Sequence, residues 1–261
     1  MFQTIVKIFL LVIITAAITP FIRKLAFVLG AVDNPNARRI NKKPMPTIGG
    51  LAIFVAFNIG EFVLLRKDFP THELFSVLLA SSVIILTGLI DDILELKPRQ
   101  KMFGIFIASL VVYFLAGIKV RELSLPLLGH LQLGWWSFPL TIFWILALTN
   151  AVNLIDGLDG LATGVTLISL VTMGIVGFFF LKSWQHYVPI MCIMLAACLL
   201  GFLPYNFHPA KIFLGDTGAL YIGFMISVFS LKGLKNVTFV SLLVPILILG
   251  VPINDTVYAM I

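Results

Sequence analysis

Four groups of residues in this 261-residue chain combine carboxylates, amides and cations in spacings that suit phosphate chemistry. Asp91 and Asp92 close an apolar stretch as Thr87-Gly-Leu-Ile-Asp-Asp-Ile-Leu-Glu-Leu-Lys-Pro-Arg. Adjacent carboxylates raise each other's pKa and attract a divalent cation. A solvated helix end would accommodate such a pair, but the negative end of a helix dipole is poor ground for two anions, so the pair asks for a compensating cation. Asn150-Ala-Val-Asn-Leu-Ile-Asp-Gly-Leu-Asp-Gly-Leu is the most specific group. Asn153, Asp156 and Asp159 recur at intervals of three, which continued helix would place on one face. Gly157 and Gly160 permit a tight turn and the close approach of a ligand to the backbone. A plain polar turn between two helices needs a Gly and one Asp; it does not need the spaced row.

The third group is Pro209-Ala-Lys-Ile-Phe-Leu-Gly-Asp-Thr-Gly. Asp216 with Thr217 and Gly218 reads either as an N-cap, worth about 1 kcal/mol, or as a phosphate or Mg²⁺ site at a helix N-terminus, with Lys211 adding positive charge. Phe213 is by default an interfacial anchor, with a platform for a base as the other reading. The fourth group is the loop holding Arg38, Arg39, Lys42 and Lys43. These cations suit attraction to anionic lipid. The prolines and glycines around them suggest instead an ordered surface loop holding a lipid phosphate or a diphosphate. Together the groups suit Mg²⁺, with Mn²⁺ as a substitute, because a hard cation takes carboxylates plus substrate phosphates. No His/Cys cluster, Ser-His-Asp grouping or P-loop competes. The implied chemistry is phosphoryl transfer by positioning and charge neutralisation.

The elements that must position these groups are membrane helices. The chain is 60% hydrophobic and 11% charged, with a mean hydropathy of +1.08, against about 45–50% and about 25% in soluble domains. That composition excludes a cytosolic enzyme, a disordered protein and a nucleic-acid-binding domain, and the net charge of +6 belongs to membrane-facing loops. Cys192 and Cys198 read as small core residues. Nine stretches are long enough to span: Phe2–Ile22, Gly49–Leu65, Leu74–Ile90, Met102–Ile118, Trp136–Leu154, Leu161–Leu181, Tyr187–Tyr205, Gly218–Leu231 (the shortest) and Val237–Asp255. Lys7 and Glu61 are expected near an interface. Arg23 and Lys24 behind the first stretch argue for an uncleaved helix.

Alternation of the spans puts Arg23–Ile48, Asp91–Lys101, Ile155–Gly160, Asn206–Thr217 and the end of the chain on one side, with ten Lys and Arg against seven on the other. We therefore expect that side to be cytoplasmic. It also carries eight of the twelve carboxylates, an asymmetry that orientation rules do not require and that points to a site. Alternating apolar and polar residues between 120 and 134 suggest a small extracytoplasmic β-hairpin. The expectation is one all-α polytopic domain over residues 1–261.

The blocks Pro44-Met-Pro-Thr-Ile-Gly-Gly, Leu89-Ile-Asp-Asp, Asn150-Ala-Val-Asn-Leu-Ile-Asp-Gly-Leu-Asp-Gly-Leu and Ala210-Lys-Ile-Phe-Leu-Gly-Asp-Thr-Gly resemble those of the polyprenyl-phosphate N-acetylhexosamine-1-phosphate transferases, the MraY/WecA/TagO family, in the family's order. The opening Val32-Asp-Asn-Pro and Arg38-Arg39 resemble the TagO/WecA branch more than MraY. The resemblance implies that undecaprenyl phosphate attacks the β-phosphorus of a UDP-N-acetylhexosamine, favouring UDP-N-acetylglucosamine. UMP is released and a lipid-diphosphate sugar remains, opening synthesis of an envelope polymer such as teichoic acid. It implies Asp216 as the Mg²⁺ ligand, and Asp91 and Asp92 as positioning or deprotonating the lipid phosphate. Asn153, Asp156 and Asp159 fall on the nucleotide side or in catalysis, with Asp156 the catalytic member. Gly157, Leu158 and Phe213 lie around the uracil, and Lys42 or Lys43 at the diphosphate. It further implies a bacterial plasma-membrane enzyme working at the cytoplasmic face, with a homodimer as an admissible assembly and no nucleic-acid partner.

The chain departs from the family pattern at Arg38-Arg-Ile-Asn41, where a His is usual, and at Ala219, where Ser is common. It stops at Ile261, soon after Pro252-Ile-Asn-Asp-Thr, where family members continue into a His-rich loop associated with sugar recognition; we therefore expect the domain to be incomplete at its C-terminal end. Two other classes remain for comparison. A transporter or channel places ionisable groups near the midplane, and here Glu61 is the lone candidate. A CDP-alcohol phosphatidyltransferase needs an Arg and two further Asp after its Asp-Gly, which do not follow Asp159-Gly-Leu-Ala-Thr. Within the family, an MraY-type phospho-N-acetylmuramoyl-pentapeptide transferase is the alternative.

Overall fold

Apolar runs in hydrocarbon must pair every backbone N–H and C=O internally, which leaves the helix as their local structure. The computed structural model describes residues 2–33, 44–64, 70–125, 129–181 and 186–234. They form α1 (Phe2–Leu29), α2 (Gly50–Ile59, continued by a π-helical turn Gly60–Leu64), α3 (Thr71–Leu94), α4 (Pro98–Phe114), α5 (Ser137–Ile155), α6 (Leu161–Phe180), α7 (Tyr187–Asn206) and α8 (Gly215–Leu234). Short antiparallel pairs join β1 (Val32–Asp33) to β2 (Met45–Pro46), and β3 (Glu122–Leu125) to β4 (Gly129–Gln132). The chain is thus a mostly helical, multi-pass membrane protein. Among the described residues five helices are long and apolar enough to cross a bilayer: Thr4–Leu29, Thr71–Leu94, Gly134–Ile155, Leu161–Phe180 and Tyr187–Asn206; Gly50–Val63 is a shorter apolar helix.

Eight of the nine anticipated stretches lie on these helices, and Val237–Asp255 lies outside the described residues. Two bounds change. The first helix runs on past Arg23 and Lys24 to Leu29, and the short stretch Gly218–Leu231 is part of a 20-residue helix. Glu61 lies in the π-helical turn and is 2% exposed, packed within the bundle. Trp135 and Trp136, next to the β3–β4 ribbon, are 97% and 74% exposed, the placement that interfacial indoles favour.

The core is organised around α8, in which every residue from Thr217 to Lys232 is buried. It packs against α2, α3 and α5, and glycines let the backbones meet. A Cβ on Gly50 would lie 2.0 Å from the Gly218 Cα, and one on Gly88 would lie 2.5 Å from the Thr217 Cα. Gly50→Ala is therefore expected to cost about 1–3 kcal/mol through overpacking, read as a lower unfolding midpoint in detergent. Gly164→Ala, whose Cβ meets nothing within 4 Å, should leave the midpoint unchanged. An unshifted midpoint for Gly50→Ala would contradict this packing.

Candidate active site

The end of α3 supplies the first two carboxylates. Glu95 follows the helix in the left-handed region (φ 50°) and turns the chain, and the Leu96 N–H donates to Asp91 Oδ1 at 2.7 Å. Pro98 opens α4, where its missing N–H costs nothing, and the Lys97 N–H donates to Gln100 Oε1 at 3.0 Å. α4 then doubles back along α3. One turn into it, the Lys101 ammonium meets Asp91 Oδ2 and, at 2.7 Å, Asp216 Oδ1.

Asp92 faces the start of α8. It accepts hydrogen bonds from the Asp216 N–H at 3.0 Å, the Thr217 N–H at 2.9 Å and the Thr217 hydroxyl at 2.5 Å. The unfavourable helix end at Asp91-Asp92 is thereby compensated twice, by an ammonium at Asp91 and by the positive end of another helix at Asp92. Of the two readings of Asp216, capping is the one that fails: Asp92 caps α8 from α3. The Asp216 side chain instead meets Lys101 and accepts from Asn153 Nδ2 at 2.5 Å.

The Asn153–Asp156–Asp159 row does not continue as one helical face. α5 ends at Ile155, Asp156 leaves the helix with ψ 56°, and Gly160 takes φ 74°. Its members consequently part. Asn153 and Asp156 turn toward α8. Burial, with the neighbouring charges of Asp216 and Asp92, pushes the Asp156 carboxyl up to about 8, so near neutrality it holds a proton while no cation is present. Asp159 instead accepts from the Ala210 N–H at 3.0 Å and contacts His208 Nδ1 at 3.0 Å. It steadies the segment between α7 and α8 together with Asn206, which accepts from the Thr163 hydroxyl and donates to the Ile212 carbonyl.

Several other candidates lie apart from the Asp216 group. Lys211 places its ammonium 6.0 Å from the Tyr205 ring centroid, Leu158 is 63% exposed, and Gly157 has open space where a side chain would stand. Half-buried Phe213 ties the segment to β2 and α2: its N–H donates to the Pro46 carbonyl at 2.8 Å and its carbonyl accepts from the Gly49 N–H at 3.1 Å. A cavity of about 420 Å³ is lined by Leu203, Pro204, Phe207, His208, Pro209 and Lys211. Arg38, Arg39, Lys42 and Lys43 lie outside the described residues. Lys101 was not singled out by sequence reasoning, where it counts only as a flanking cation; its signal is its place one turn into the helix that follows Asp91-Asp92.

Among the described residues no three carboxylate, imidazole or thiol groups form a complete metal cage. The donor set is nevertheless oxygen-rich, and carboxylates from two helices already converge on one positive charge, that of Lys101. Such a partial set fits an ion that completes its shell with water and substrate phosphate.

A family model described as Glycosyl transferase family 4 matches residues 74–234. Over 246 residues the chain is 42% identical to a probable undecaprenyl-phosphate N-acetylglucosaminyl 1-phosphate transferase of Bacillus subtilis (strain 168), covering 94% of this chain and 67% of that protein. It is 36% identical over 222 residues to a phospho-N-acetylmuramoyl-pentapeptide-transferase of Clostridium botulinum (strain Eklund 17B / Type B), covering 81% and 67%. A decaprenyl-phosphate N-acetylglucosaminephosphotransferase of Mycolicibacterium smegmatis is 34% identical over 230 residues, covering 82% and 56%.

Proposed function

The chain belongs to glycosyl transferase family 4, and on that premise we propose that it transfers N-acetylglucosamine-1-phosphate from UDP-N-acetylglucosamine to undecaprenyl phosphate in the bacterial plasma membrane. A lipid phosphate oxygen bonds to the β-phosphorus, the anhydride bond to the α-phosphate breaks, and UMP leaves. The product would be the lipid-diphosphate sugar that starts an envelope polymer. The observation that carries this reading is the meeting of α3, α4, α5 and α8 through Asp91, Asp92, Lys101, Asn153 and Asp216 at one end of the bundle. In our reading the chain spans the membrane nine times, this end faces the cytoplasm, and the β3–β4 ribbon lies on the opposite surface.

The division of labour follows from the contacts. Asp92 holds the first turn of α8 and so aims Asp216. Asn153 and Lys101 orient the Asp216 carboxylate, and the Lys101 ammonium also pairs with Asp91, so that one cation holds two carboxylates together at the place where the phosphates would meet. Asp156, beside this cluster, would be the catalytic member of the Asn153–Asp156–Asp159 row. Asp216 and Asp91 would hold Mg²⁺, which when bound supplies charge neutralisation of the diphosphate. The N-acetylglucosamine donor is favoured over the N-acetylmuramoyl-pentapeptide donor by the higher identity to the Bacillus relative.

The test is UMP release by the purified full-length protein in nanodiscs with undecaprenyl phosphate, Mg²⁺ and either UDP-sugar. Release is expected with UDP-N-acetylglucosamine and lost on chelation by EDTA. Release only with the pentapeptide donor would reassign the sugar, and none with either would refute the reading.

A further inference from the structure

α3 and α8 are antiparallel partners that carry opposite halves of the candidate site, and they meet again at their far ends. There Lys232, 6% exposed, forms an ion pair with Glu73. Its ammonium lies 4.4 Å from the Tyr187 ring centroid, and the Tyr187 hydroxyl donates to the same Glu73 oxygen at 3.2 Å. Glu61, the buried acid of the π-helical turn, is within electrostatic reach of Lys232. None of these groups touches the residues at the other end, and the reaction proposed above does not use them.

The spacing is what gives them a role. Gly88 of α3 abuts the Thr217 backbone. Counting away from the site, fifteen residues separate Gly88 from Glu73 and fifteen separate Thr217 from Lys232. At a rise of about 1.5 Å per residue both intervals are about 22 Å, so the near and far contacts fall in register together. Glycine-lined contact between backbones offers little resistance to axial sliding, whereas slippage would strand the buried Lys232 ammonium away from its half-buried counter-charge, Glu73. Buried pairs are weak sources of net stability, and fixing register is their best-attested use.

We infer that the Glu73–Lys232 pair sets the axial register of α3 against α8, and with it the placement of Asp91 and Asp92 relative to Asp216. Lys232 is then a positioning residue for chemistry about 22 Å away. The inference rests on the proposed transfer reaction for its kinetic readout alone. A misplacement of about 1 Å can cost about 10²-fold in rate, so Lys232→Met and Glu73→Gln should each lower kcat about ten- to a hundredfold with both KM values unchanged. Lys232→Arg, which keeps the charge, should restore turnover.

Hydrogen–deuterium exchange of the Asp216 and Thr217 amides, which Asp92 protects, supplies a readout independent of activity. Both neutral variants should accelerate exchange at those two amides while the middle of α3 stays protected. Unchanged exchange there in both variants, or exchange rising evenly along every helix, overturns the inference. If the wild-type protein releases no UMP, the proposed reaction fails, and the exchange result still decides the register.

Discussion

Asp216→Asn is expected to lower UMP release by about 10³-fold, the scale on which removing a preorganised charge from a phosphoryl-transfer site acts. The substitution is nearly isosteric, and the capping contacts of α8 run through the Asp216 backbone rather than its side chain, so the helix should start where it does now. What disappears is the negative charge that Lys101 and Asn153 orient and that a divalent ion would use. Turnover at saturating substrates, normalised to protein extracted and monodisperse in detergent, is the measurement. Activity within tenfold of wild type would remove Asp216 from the centre of the site.

Lys101→Met should be the next most damaging change, lowering turnover by about 10²-fold. Its ammonium separates Asp91 from Asp216, which are on different helices. Without it two carboxylates face one another with no shared cation, a pairing that raises at least one pKa. Raising the Mg²⁺ concentration should recover part of the loss, because the metal can occupy the same electrostatic role, whereas Asp216→Asn should not respond. A Lys101→Met protein with wild-type turnover at every Mg²⁺ concentration would show that this contact has no part in catalysis.

The contrast between Lys101 and the aspartates explains what was legible beforehand. Carboxylates at the ends of apolar stretches stand out because membrane segments rarely tolerate them, and alternation of the stretches assigns Asp91, Asp92, Asp156 and Asp216 to a common side before any contact is known. A lysine beside such a stretch has the opposite visibility: positive flanks are ordinary, so its local context does not distinguish an ion-pair partner from an orientation signal. The split between Asp156 and Asp159 was hidden for a different reason. A spacing of three is helical only while the helix lasts, and where α5 stops depends on Gly160 and on the hydrogen bonds that Asp159 finds in the segment before α8. The burial of Glu61 was likewise not legible, since a π-helical turn such as Gly60–Leu64 departs from the regular helical period.

The helix at the centre of the bundle begins on a borrowed cap. Its first N–H groups are received by a carboxylate that lies 124 residues earlier in the chain, and a helix start without an acceptor is costly to bury. The first turn of α8 is therefore fully hydrogen-bonded only where the end of α3 stands beside it. Asp92 in turn has those donors only when α8 is in place, so the end of one helix and the beginning of the other are each finished by the other.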